Sequence, residues 1–306
     1  MIDTRKIDVT VFTPTYNRQH TISKLYKSLI LQTNKNFEWI IVDDGSTDNT
    51  CDVIKKFIYE NKLNIKYLKK NNEGKHIAIN YGVKYAEGKM FFIVDSDDYL
   101  SETAIEKIVK YEKTISDRSG FAGVAGLKGD FSRKPIKSQN TRYTEEELKG
   151  ISGEILDATT VKYRYKMKIT GDRAEVIYTD LLKKIPFPQI GKDKFMEESF
   201  LWLSISKMGL KFRWFNEVIY LCEYLPDGLT NNIKEIVKKN WETHVYCANF
   251  SLTVTEIPIK EKFRECIRYY RYGFFGKRTL RDLYYECNNK ILSIPSIIIA
   301  FLYKVK

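Results

Sequence analysis

Short apolar runs alternate with helical patterns from Val9 to Val94, and this alternation limits the fold more than any other property of the chain. Val9-Thr10-Val11-Phe12 reads as a first strand. After it, Ile22, Leu25, Tyr26, Leu29 and Ile30 recur at the spacing of one buried helix face. Trp39-Ile40-Ile41-Val42 gives a second strand, and Val53, Ile54, Phe57 and Ile58 one side of a second helix. Ile65-Lys66-Tyr67-Leu68 gives a third strand, Ile77 to Tyr85 a third helix and Met90-Phe91-Phe92-Ile93-Val94 a fourth strand. Apolar strands separated by helices predict an α/β fold with a mostly parallel sheet flanked by helices. Ligands of such sheets bind beyond the carboxyl ends of the strands. The residues that follow each strand therefore carry the functional information.

The first strand runs into Thr13-Pro14-Thr15-Tyr16-Asn17, which contains no glycine. Neither G-x-G-x-x-G nor G-x-x-x-x-G-K-[ST] is present, which argues against a dinucleotide enzyme and a P-loop kinase or ATPase. The second strand ends in Asp43-Asp44-Gly45-Ser46-Thr47-Asp48. Ser46, Thr47 and Asp48 suit a helix N-cap. Asp43 and Asp44 repel each other, and a ligand donor such as a base N–H or a ribose hydroxyl would satisfy one of them. The fourth strand ends in Asp95-Ser96-Asp97-Asp98. Carboxylates packed this densely beside a buried strand are costly without a cation or donors. Hard oxygen ligands suit Mg²⁺ or Mn²⁺ held together with substrate phosphates. The plainer alternative is an acidic turn capping a helix over Glu102–Tyr111.

Taken in order, Thr13–Asn17, Ile41–Asp48, Asn72-x-Gly74-x-x-x-Ala78-x-Asn80-x-Gly82 and Asp95-x-Asp97-Asp98 resemble the family 2 glycosyltransferases over about residues 7 to 225. The resemblance implies the GT-A fold, a Rossmann-like nucleotide-diphospho-sugar transferase architecture. It implies a nucleotide-sugar site at Pro14, Thr15, Tyr16, Asn17, Asp43, Asp44, Lys75, Asn80, Asp95 and Ser96. In that site Pro14–Tyr16 and Asp44 would hold a uracil, with Asp43 close by, and Asp95 would reach the ribose. Asp97, with Asp98, would bind Mn²⁺ or Mg²⁺ bridging the diphosphate. Lys75 is also open to a solvated role, and His76 reads as a packed or surface imidazole.

The same family places an acidic residue at a helix start as catalytic base. Here Glu197-Glu198-Ser199-Phe200-Leu201-Trp202 fills that place, and Glu198, second of the pair, aligns better than Glu197. Acidic residues in a first helical turn also serve simply to complement the dipole. Thr170-Gly171-Asp172 looks like part of the acceptor half, with Asp172 and Trp202 as acceptor contacts, and Tyr224–Thr230 like its closing loop. The implied reaction is an inverting displacement: a carboxylate deprotonates the acceptor hydroxyl opposite the departing nucleoside diphosphate. The donor would be a UDP-sugar and the acceptor a saccharide, free or polyprenyl-diphosphate-linked, in bacterial capsule, O-antigen or other surface-polysaccharide synthesis. A nucleotidyltransferase and a non-catalytic binder of the same fold are the alternatives.

Net charge separates the rest of the chain. The 306 residues carry +12, and the 76 from Asn231 onward hold 14 lysines and arginines against 7 acidic residues, a net of +7. This predicts a GT-A domain over 1–230, with a nucleotide-binding half over about 1–100 and an acceptor half over about 101–230. A helical, basic and aromatic extension over 231–306 follows. Tyr269, Tyr270, Tyr272, Phe274 and Phe275 interleave with Arg268 and Arg271 ahead of the apolar run Ile291–Tyr303. That composition suits a helix lying on an anionic membrane surface, or aromatics packed on the catalytic domain. No RNA- or DNA-binding motif is present, so nucleic acid is not an expected partner. Five cysteines without C-x-x-C spacing, no HExxH and no long apolar leader complete the expectation of a cytoplasmic protein, peripheral on the inner face of the membrane.

Overall fold

The computed structural model describes residues 7–138, 141–142, 155–169, 171–222 and 233–302. The chain forms two compact units. The first is Met1–Thr159 with Ile169–Pro186 and Leu210–Leu225; the second is Thr160–Lys168 with Phe187–Gly209 and Pro226–Lys306. The second unit thus takes in residues 187–209, which the expected boundary near 230 assigned to the first.

The first unit is built on strands β1 Val9–Thr15, β2 Phe37–Asp43, β3 Ile65–Lys69, β4 Met90–Ile93, β5 Tyr99–Leu100, β6 Phe121–Gly129, β9 Leu156–Ala158, β10 Arg173–Tyr178 and β11 Lys211–Leu221. A separate hairpin pairs β7 Ile136–Ser138 with β8 Thr141–Arg142. The main sheet runs β3-β2-β1-β4-β10-β6-β11-β5, with β9 also paired to β11. Its first four strands are parallel, and beyond β4 the sheet is mixed. β1 and β2 are buried at every position, which is why their sequences are continuous apolar runs. β3 lies at the sheet edge and is half-exposed, so lysines are tolerated in it.

Helices α1 Ile22–Ile30, α2 Thr50–Glu60, α3 Lys75–Gly82, α4 Ala104–Lys113 and the single turn α5 Thr179–Leu182 connect these strands. α1 buries Ile22, Leu25, Tyr26 and Leu29, as its spacing predicts. Ile58 departs from the expected face of α2 and is exposed. Tyr26, Trp39 and Phe57 stack between α1, β2 and α2, with the Tyr26 and Phe57 rings 4.0 Å apart.

The first strand does not stop at Phe12 as its apolar run suggests: Thr13–Thr15 continues β1 and pairs with Ile41–Asp43. The proline is tolerated because of its side of the ladder. Phe12 O accepts from Val94 N at 2.8 Å, so even-numbered residues of β1 turn toward β4. The β1–β4 register ends at Phe12 opposite Ile93, so no ladder bond awaits an N–H at Pro14. The ladder thus carries Thr15 and Asp43 forward together to the carboxyl end of the sheet.

The second unit is helical: α6 Ser199–Lys207, α7 Ile233–Lys239, α8 Trp241–Ser251, α9 Ile259–Phe275, α10 Leu280–Glu286 and α11 Lys290–Leu302. Its core contains Val245, Leu252, Tyr269, Tyr270, Leu283 and Ala300. Tyr269 and Tyr270, counted above among aromatics for a membrane surface, are therefore interior to this unit. No described helix is long and apolar enough to cross a membrane.

Candidate active site

The carboxyl ends of β1, β2 and β4 bring the sequence-selected acids together in the first unit. Asp43 is fully buried and accepts hydrogen bonds from Ser46 N and Tyr67 Oη, each at 2.7 Å. Asp44 accepts from Lys70 Nζ at 2.8 Å, Glu73 N at 3.0 Å and Gly74 N at 2.7 Å. The repulsion read between these neighbours is thus relieved by the chain's own donors, without a ligand. Asp44 also clamps the Glu73-Gly74 turn that opens α3, where Gly74 has φ +96.

Asn17 ties the β1 end to the β2 end. It adopts φ +52, its N donates to Ser46 Oγ at 2.9 Å and its Oδ1 accepts from Thr47 N at 2.9 Å. Of the residues expected to cap α2, Ser46 instead holds Asn17, while Asp48 accepts from Thr50 N at 3.0 Å at the helix start. Thr15 is buried with its Oγ1 unpartnered among the described residues, and Tyr16 is exposed beside it.

The end of β4 carries the strongest electrostatic contrast. Asp95 accepts from Lys75 Nζ at 2.5 Å. Asp97 lies 4.0 Å from the Arg18 guanidinium. Asp98 accepts from Tyr220 Oη at 2.8 Å, and the same oxygen accepts from Asp95 N at 3.0 Å. Lys128 Nζ sits 4.5 Å from the centre of the Tyr220 ring. Burial would raise the Asp95 carboxyl, but Lys75, Lys128 and Arg18 outweigh it and hold the group below the ordinary range. Burial and then the charge of Asp95 push Asp97 upward and Asp98 up to about 7. Ser96 between them is buried.

Asp97 and Asp98 are the carboxylates here that could hold a divalent cation. Among the described residues, no three His, Cys, Asp or Glu side chains converge as a closed cage. Asp97 and Asp98 nonetheless offer hard oxygens whose charged form is penalised by burial and by a like charge, an effect that a nearby cation opposes. Mg²⁺ and Mn²⁺ characteristically take one or two carboxylates and complete their shell with water and substrate phosphates.

Arg18, Lys128 and Tyr220 escaped the sequence reading. Lys128 had a visible signal, a single lysine inside the otherwise apolar strand Phe121–Gly129. Tyr220 had none, because its alignment with β4 depends on the return of β11. Asp172 is exposed, follows Gly171 at φ +103, and its charge acts on Lys128; Thr170 lies outside the described residues. The Tyr224–Thr230 loop is outside them as well. Asn80 is half-buried on α3, and His76 is packed inside, where burial lowers its imidazole to about 4.

In the second unit, the two candidate bases separate. Glu197 accepts from Ser199 Oγ at 3.0 Å, pairs with His244 Nδ1 at 2.9 Å and lies 3.5 Å from Arg268. Burial acts to raise its carboxyl, yet His244 and Arg268 prevail and hold it near 2. Such a carboxylate is fixed in an ion-pair network and is a weak proton acceptor. Glu198 occupies the N-cap position of α6 without a side-chain capping bond, and its carbonyl accepts from Leu201 N at 2.9 Å. Trp202, one turn on, lines a cavity of about 140 Å³ with Thr160, Tyr165, Glu197, Glu265 and Arg268. Thr160 Oγ1 is buried there without a partner among the described residues.

Residues 10–161 match the family model described as Glycosyl transferase family 2. The chain is 31% identical over 181 residues to the poly(ribitol-phosphate) beta-N-acetylglucosaminyltransferase TarP of Staphylococcus aureus, a match covering 54% of this chain and 55% of TarP. The chain therefore spans about half the length of that relative. It is 29% identical over 237 residues to the UDP-Glc:alpha-D-GlcNAc-diphosphoundecaprenol beta-1,3-glucosyltransferase WfaP of Escherichia coli, covering 76% of this chain and 84% of WfaP. Among solved structures, S. aureus TarS 1-349 in complex with UDP-GlcNAc aligns with a TM-score of 0.61 at 21% identity, over 96% of this chain and 79% of that one. The mannosyltransferase PcManGT of Pyrobaculum calidifontis, in complex with GDP-Man and Mn²⁺, aligns with a TM-score of 0.55 at 17% identity, over 98% and 75%. At these identities the two structures speak for the fold alone.

Proposed function

The chain belongs to the family 2 glycosyltransferases and has the GT-A fold, and on that premise we propose that it transfers a sugar from a UDP-sugar to a saccharide acceptor with inversion. The observation that carries the reading is the end of β4, where Asp95, Asp97 and Asp98 meet Lys75, Arg18 and Lys128. A site of alternating carboxylates and cations accepts an anionic diphosphate together with a positive ion, and has little use for a neutral ligand.

In this reading the Pro14–Tyr16 segment and Asp44 frame the base, with Asp43 holding the turn after β2 through Ser46 N. Asp95 takes the ribose, and its pair with Lys75 opens as Lys75 turns to phosphate. Asn17, Asn80 and Ser96 complete the pocket. Asp97 and Asp98 would hold Mn²⁺ or Mg²⁺, which supplies Lewis-acid neutralisation of the leaving diphosphate. Arg18 and Lys128 offset further negative charge in the same region. Glu198 removes the proton from the acceptor hydroxyl, and Glu197 stays ionised in its network and keeps the start of α6 in place. Trp202 offers an apolar face to the acceptor beside the carboxylates and guanidinium of its cavity, and Asp172 contributes on the side of Lys128.

The names of TarP and WfaP support an acceptor in bacterial surface-polysaccharide synthesis, either a polymer or a polyprenyl-diphosphate-linked saccharide. The net charge of +7 from Asn231 onward supports work at the anionic inner face of the cytoplasmic membrane. Thermal-shift measurements over a panel of nucleotide-sugars, with and without Mn²⁺, test the reading. UDP-sugars should raise the melting temperature and Mn²⁺ should enlarge the rise. A panel without any stabilising nucleotide-sugar would overturn it.

A further inference from the structure

Helix α11 is built inside out. Ser293, Ser296 and Ala300 are its fully buried positions. Ile291, Ile294, Ile298, Phe301 and Leu302 point outward, each between 61% and 84% exposed. At 3.6 residues per turn the five outward residues fall within an arc of about 100°, opposite the small buried ones. Surface apolar residues occur singly on most proteins, but an unbroken stripe of this kind marks an interaction surface.

Charge and composition decide what covers it. The helix has no acidic residue and a single base, Lys290, at its start. Lys290 Nζ lies 5.2 Å from the centre of the Tyr284 ring and donates to Tyr285 O at 2.7 Å; Tyr285 itself is exposed. Beyond the other end the sequence continues Tyr303-Lys304-Val305-Lys306. Tyrosine and lysine thus flank the apolar stripe at both ends. That arrangement anchors a segment at a lipid headgroup boundary, whereas lysine is depleted from protein–protein interfaces. The thirteen described residues of the helix span about 20 Å, short of the roughly 30 Å hydrocarbon core, a length that suits lying in an interface.

We propose that the outward face of α11 lies in the plane of an anionic lipid surface, with Ile291, Ile294, Ile298, Phe301 and Leu302 entering the acyl boundary while Lys290 meets headgroup phosphates. This rests on the membrane reading given above and assigns it to one helix face. The aromatics of α9 are not needed, since Tyr269 and Tyr270 serve the interior.

Sedimentation of the full chain with vesicles of phosphatidylcholine and phosphatidylglycerol tests the assignment. The comparison is with a double variant, Ile294→Ser with Ile298→Ser. Both positions are largely in solvent, so the variant should keep the wild-type melting temperature. Two isoleucines withdrawn from an apolar phase should lower the partition coefficient by at least about tenfold. If the variant sediments with vesicles as the wild type does, the face is wrong although the membrane reading stands. If the wild type binds no vesicles, both fail. If sedimentation equilibrium shows a wild-type dimer that the variant converts to monomer, the stripe joins two copies and the assignment falls.

Discussion

Replacing Glu198 by glutamine lowers turnover of sugar transfer by about 10²- to 10⁴-fold, the usual contribution of a positioned general base, and leaves nucleotide-sugar binding unchanged. Glutamine keeps the size and the N-cap position but accepts no proton at neutral pH. The comparison that gives this its meaning is Glu197→Gln. Glu197 meets His244, Arg268 and Ser199, and its carboxyl is held near 2. Removing that charge leaves the Arg268 guanidinium without its carboxylate and the buried His244 Nδ1 without its charged partner, so the principal loss is in stability, visible as a lower melting temperature. The group has its pKa depressed from 4.5 to about 2 in the folded state, so its stabilising effect is present above about pH 4.5 and is lost as the pH falls toward 2. A catalytic collapse with intact melting in Glu198→Gln, and lowered melting in Glu197→Gln, would separate the roles. Near-wild-type turnover in Glu198→Gln would remove Glu198 as base.

Asp97→Asn should lower kcat/KM by on the order of a hundredfold or more and flatten the dependence of activity on Mn²⁺ concentration. Asparagine retains one oxygen but not the charge. The carboxyl of Asp97 is pushed upward by burial and by Asp95 despite the Arg18 guanidinium 4.0 Å away, so the folded chain gains little from its charge. Loss of the charge should therefore leave the melting temperature of the unliganded protein unchanged or slightly raised. Titration of Mn²⁺ against activity and against melting in the presence of a UDP-sugar checks both parts. Full activity with unchanged Mn²⁺ dependence would take the cation away from Asp97.

The sequence was most readable where local pattern and tertiary environment agree. β1, β2 and most of β4 are buried and announce themselves as apolar runs, and the carboxylates beyond β2 and β4 are equally visible in the sequence. Pro14 misled at the boundary, because a proline reads as a loop unless one knows on which side of the ladder its nitrogen falls. Asp43 and Asp44 looked like ligand groups in want of donors, yet Tyr67, Lys70 and the Glu73-Gly74 backbone supply them. Those donors lie on β3 and the loop after it, too far along the chain for spacing to expose. Tyr220 and the partners of Glu197 were hidden for the same reason: His244 and Arg268 reach Glu197 only because helices far along the chain fold back against α6. The apolar run Ile291–Tyr303 was legible as unusual, but the outward direction of Ile291–Leu302 within it was not, since the small inward residues declare themselves only through packing on α9.

The central claim is transfer of a sugar from a nucleotide-sugar, and phosphorus NMR of the products tests it most directly. The protein is incubated with a UDP-sugar, Mn²⁺ and a saccharide acceptor. The account predicts that UDP accumulates in step with a new glycosidic bond of inverted anomeric configuration. Release of inorganic diphosphate or of a nucleoside monophosphate in place of UDP, or a product of retained configuration, would contradict it.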